Sequence, residues 1–68
     1  MTTLTGDFNA IVHGNRLVVL APEGFSAAVG TSVLVEDGEG NSCSGVVLTH
    51  SRTLVDVSLD LETWRSEE

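Results

Sequence analysis

Residues 54–61 read Leu54-Val55-Asp56-Val57-Ser58-Leu59-Asp60-Leu61, an almost unbroken alternation of apolar and polar side chains. A strand sends successive side chains to opposite faces, which puts Val55, Val57, Leu59 and Leu61 together and Asp56, Ser58 and Asp60 opposite them. No helix of period 3.6 sorts the run this way. The stretch predicts a half-buried antiparallel strand with a wet, acidic outer face, and it sets the class of the chain as all-β.

Working outward, the same alternation yields four more strand candidates. Phe8 to His13 places Phe8, Ala10 and Val12 on one face. The Gly14-Asn15 pair after it tolerates positive φ and suits a hairpin turn, with Arg16 to Ala21 as the return strand. The unbroken Leu17-Val18-Val19-Leu20 predicts burial on both faces. Ser32 to Glu36 puts Val33 and Val35 together, Asp37-Gly38-Glu39-Gly40-Asn41 makes a mobile acidic turn, and Ser42 to Thr49 returns. Gly45 inside that strand predicts a bulge or sharp bend. Pro22 ends the second strand, and residues 22–29 suit either a short helical turn or an irregular loop pinned by Phe25. A second helical turn is expected near 61–65, carrying Trp64. Residues 1–6 read as a flexible polar arm, 7–65 as one small barrel domain, and 66–68 as an acidic tail.

Five short strands joined mostly by hairpins describe a small five-stranded antiparallel barrel or strongly bent meander. Gly30-x-x-Val33-x-Val35-x-Asp37, a turn, then Gly45-Val46-Val47 resembles the central hairpin of SH3-like small barrels, over residues 30–47. The resemblance implies a fold rather than a ligand. Peptide-binding SH3 domains hold proline-rich segments on clustered aromatics, whereas this chain has only Phe8, Phe25 and Trp64 and no tyrosine. An oligonucleotide-binding barrel would need stacking aromatics and a basic groove, and neither is present.

Length and charge narrow the function. A chain of 68 residues has room for one small core. Ten carboxylates stand against three arginines and no lysine, a formal charge of −7. Phosphate-backbone binding runs on cationic side chains, so direct nucleic-acid binding is not expected, and attraction to anionic lipid is equally poor. Cys43 is the lone cysteine and permits no internal disulfide. The first seven residues lack the basic and apolar segments of a signal peptide, and the expectation is a cytoplasmic protein.

The candidate chemistries fail on spacing. The turn from Asp37 imitates a calcium loop, but the glycine and glutamate that such a loop needs at its sixth and twelfth positions are Ser42 and Leu48 here. Cys43 follows an acidic turn that disfavours a thiolate, and it reads as a packing residue. Zinc would need three or four converging ligands, and His13, His50 and Cys43 have no such spacing. Asp56 and Asp60 share a face but lie about 13 Å apart along a strand, too far for an acid–base pair. No catalytic, metal or cofactor site is therefore expected. Trp64 reads either as a plug for one end of the barrel or as an exposed anchor.

The leading expectation is a non-catalytic module that binds another protein, for which a basic surface is one option, through Glu36, Asp37, Glu39, Asp56, Asp60 and Trp64. One alternative is a structural homo-oligomer subunit pairing through strand edges. Another is a nucleic-acid mimic whose carboxylates occupy a basic DNA- or RNA-binding protein.

Overall fold

The computed structural model describes residues 2–66. Its elements are β1 (Thr2–Thr5), a 3-10 turn (Phe8–Ala10), β2 (Arg16–Leu20), β3 (Ser32–Glu36), β4 (Asn41–His50) and β5 (Leu54–Ser66). The five strands form one sheet in the order β1-β3-β4-β5-β2. The sheet curls into a half-barrel, because its two outer strands, β1 and β2, come into contact. Gly6, just after β1, passes so close to β2 that a Cβ there would lie 2.5 Å from Val19 Cγ1 and 3.0 Å from Leu17 Cδ2. The architecture is all-β and compatible with an SH3-like small barrel.

Alternation builds the core where it was read. Val33 and Val35 of β3, Val47 of β4, and Val55, Val57 and Leu59 of β5 are all buried, with Cys43 among them. No buried side chain in this core is polar or charged among the described residues. Gly45 faces Val33 on one side and Leu59 on the other. A Cβ at Gly45 would meet the Ser58 carbonyl oxygen at 2.6 Å and Val57 Cγ1 at 2.7 Å. Close approach of β5, rather than a bulge at Gly45 itself, is the reason for this glycine.

Several expectations are corrected. Thr2–Thr5 is not a loose arm but a strand, parallel to β3 in the register Leu4↔Val35, and Leu4 is fully buried. The sheet is thus mixed rather than antiparallel throughout. Phe8 to His13 is not a strand. The Asp7 side chain caps a 3-10 turn by accepting the Asn9 N–H at 2.9 Å, and Ala10 N–H donates to Asp7 C=O. Gly14 and Asn15 do take positive φ, 86° and 59°, but they reverse the chain for only the single Val12–Arg16 bridge.

Strand β2 pairs instead with β5, Leu17 opposite Val57 and Val19 opposite Val55, because that register joins the inner faces of both strands. It is buried on one face only; Val18 and Leu20 lie outside. Residues 22–29 form no helix. Phe25 N–H closes a turn on the Pro22 carbonyl, and the Phe25 ring packs on the core and edge-on against His50.

The end of β5 departs furthest from expectation. Residues 61–65 are not helical; the strand runs on to Ser66, and Arg65 pairs with Ser42. Between the pairs Ser42–Arg65 and Ser44–Asp60, one residue of β4, Cys43, faces residues 61–64 of β5. This bulge turns Leu61 outward, leaving it 42% exposed instead of on the inner face. Thr63 fills the gap in the ladder. Its Oγ1 accepts from Ser44 N–H at 2.9 Å and Ser44 O–H at 2.8 Å and donates to Asp60 C=O at 2.7 Å. Of the tail read as 66–68, Glu67 and Glu68 lie outside the described residues.

Candidate functional site

The acidic turn and the bulged end of β5 meet at one end of the half-barrel. Asp37 organises the turn: Oδ1 accepts the N–H of Glu39 at 2.7 Å and of Asn41 at 3.1 Å, and Oδ2 accepts the Asn41 side-chain amide at 2.6 Å. The Asn41 amide, and after it the Glu39 N–H, hold the Asp37 carboxyl below its ordinary value. The turn read as mobile is therefore knit by its own aspartate.

Trp64 stands beside this turn. Its indole meets Phe8 with ring centroids 4.5 Å apart and planes at 62°. Phe8 packs on the core beneath, while Trp64 remains 40% exposed. Trp64 thus covers Phe8 and still offers open surface.

Two grooves adjoin at Trp64 and Asn41. One, of about 510 Å³, runs from Gly6 to Asn9 and across to Asp37 and Glu39. Its walls carry two aromatic rings, three carboxylates (Asp7, Asp37 and Glu39) and no cationic side chain. The other, of about 800 Å³, is lined by Glu36, by Gly38, Gly40, Asn41 and Ser42, and by Arg65 with Ser66. There Arg65 offsets the one carboxylate. The two grooves differ in charge although they share a wall.

Of the residues singled out in the sequence, Glu36, Asp37, Glu39 and Trp64 come together here, while Asp56 and Asp60 do not. Asp56 lies on the outer face of the sheet, where its Oδ2 accepts a hydrogen bond from Arg16 Nη2. That contact also raises the pKa of Arg16. Asp60 pairs with Ser44, and its Oδ1 accepts the Glu62 N–H. Sequence reading missed Asp7 and Phe8: it gave Asp7 no role at the start of the barrel domain and placed Phe8 in a strand. The available signal was Asp7 as an N-cap two residues before the amide it holds.

Other groups are committed elsewhere. Cys43 Sγ donates to the Asp60 carbonyl at 3.1 Å and is fully buried. Ser44 and Thr63 spend their hydroxyls on the bulge. Among the described residues no three His, Cys, Asp or Glu side chains converge as a metal-ligand set, and no helix is long and apolar enough to cross a membrane. Comparison with protein-family models, with curated proteins and with solved structures finds no match to the chain.

Proposed function

We propose that this chain is a non-catalytic interaction module that binds a basic segment of a partner protein at the Trp64 end of the half-barrel. The observation that carries the reading is the groove that puts exposed Trp64 and half-buried Phe8 beside Asp7, Asp37 and Glu39 with no cation among them. A half-exposed tryptophan offers apolar area and a π face to a cation, and the carboxylates add attraction of the matching sign. A net charge of −7 steers a basic partner toward the whole molecule. The non-catalytic reading draws support from three nucleophile-type side chains, Cys43, Ser44 and Thr63, which all spend their hydrogen bonds within the β4–β5 bulge. Where the partner is a nucleic-acid-binding protein, the same carboxylates stand in for phosphates.

The test is a calorimetric titration with a short peptide of alternating basic residues and glycine, at low and at moderate salt. Binding that weakens with salt, and weakens again in Asp7→Asn and Glu39→Gln, is the expected result. No binding, or binding indifferent to both substitutions, would overturn the reading.

A second reading, self-association, is favoured by one feature of the outer face. Leu20 of β2 lies opposite Leu54 of β5, and with Val18 they are 74%, 43% and 51% exposed. β2 is also an outer strand of the sheet. Sedimentation at two concentrations decides it, with a mass that rises with concentration in the native chain and not in Leu20→Lys.

A further inference from the structure

We infer that the groove between Asp7 and Glu39 takes the guanidinium of an arginine side chain, stacked against Trp64. The inference rests on the proposed binding of a basic segment and names the group that enters. The charge in the groove is spread rather than focused: three carboxylates line it, yet no three converge closely enough to ligate a metal ion. A wide, flat cation with several donors fits such a rim better than a point charge does.

The carboxylates also differ in what they can still accept. Asp37 has both oxygens committed to the 37–41 turn, so it contributes field rather than a new bond. Asp7 has Oδ1 engaged with Asn9 N–H, and its Oδ2 accepts no hydrogen bond among the described residues. The Glu39 carboxylate makes no hydrogen bond among the described residues. Asp7 and Glu39 are therefore the acceptors for the guanidinium fork, with Trp64 and Phe8 supplying the apolar and π surface. Guanidinium is planar and weakly hydrated, so it gives up little on leaving water for an aromatic wall; ammonium is compact and strongly hydrated. The adjoining groove repels a second cation through Arg65, which directs the arginine to the Asp7 side.

Trp64 is the chain's single tryptophan and there is no tyrosine, so ultraviolet emission reports on this site alone. The experiment titrates the full chain with three acetylated, amidated glycine-flanked peptides carrying arginine, lysine or neutral citrulline. The arginine peptide is expected to shift Trp64 emission and to bind about fivefold more tightly than the lysine peptide, the range that cation–π stacking provides at a partly exposed ring. Citrulline should not bind. Glu39→Gln, at an exposed turn and with Trp64 retained, should weaken arginine binding severalfold without changing the free emission. Equal binding of arginine and lysine would overturn the arginine assignment and leave the basic-partner reading standing. Unchanged affinity in Glu39→Gln would overturn the assignment too. If neither cationic peptide binds, by emission or by heat, both fall.

Discussion

The Phe8 ring meets the Trp64 indole edge-on at 4.5 Å, although one comes from the 3-10 turn after β1 and the other from the end of β5. This pair ties the 3-10 turn near the start of the chain to its last strand. It also gives the candidate groove its aromatic wall. A double-mutant cycle with Phe8→Leu and Trp64→Leu, read by urea unfolding, should show a coupling of about 0.5–1.5 kcal/mol. Zero coupling would mean that the rings merely coexist. Trp64→Leu should leave the fold intact, because the buried core does not include Trp64.

Gly45 is expected to be the least replaceable glycine in the sheet. Gly45→Ala drives a Cβ against the Ser58 carbonyl of the neighbouring strand, at a cost of about 2–3 kcal/mol. Gly38→Ala is the contrast: nothing lies within 4 Å of the new Cβ, but φ is +79°, so strain costs about 1 kcal/mol. Urea midpoints of the two variants test the order; a larger loss at Gly38 would contradict it.

Thr63 holds the bulge that positions Trp64. Thr63→Val keeps the shape but removes the oxygen that accepts from Ser44 N–H and donates to Asp60 C=O. The loss should be about 1–3 kcal/mol, chiefly from the backbone N–H left without an acceptor. Amide exchange should speed up first at Ser44.

Acid should loosen the 37–41 turn through Asp37. Its folded pKa lies below the ordinary 3.8 because Asn41 and the Glu39 N–H bond the carboxylate. The contribution is therefore complete above that unfolded value and is lost as pH falls through the lower folded value. A pH titration followed at the Glu39 and Asn41 amides should show the turn intact down to below pH 3.8. In Asp37→Ala those amides should be exchange-labile at every pH.

The sheet's centre was readable because its signal is local. Val33 and Val35, or Val55, Val57 and Leu59, declare a face by alternation alone, and β3 falls at Ser32–Glu36 as read. What escaped depends on partners distant in sequence. Thr2–Thr5 has one apolar residue, Leu4, and becomes a strand only by pairing with β3. The run Leu17 to Leu20 looks buried throughout, yet a single curled sheet has one inner face and covers only Leu17 and Val19. The site divides the same way. Glu36, Asp37, Glu39 and Trp64 stood out by charge and rarity, whereas Asp7 and Phe8 join them only through the parallel pairing of β1 with β3.

The most direct test of binding at the Trp64 end is an amide and indole N–H shift map of the chain titrated with an arginine-bearing peptide. Shifts confined to Gly6–Asn9, Asp37–Asn41 and the Trp64 indole are predicted, together with their loss in moderate salt. Shifts centred instead on Val18, Leu20 and Leu54, or on no contiguous surface, would contradict the assignment.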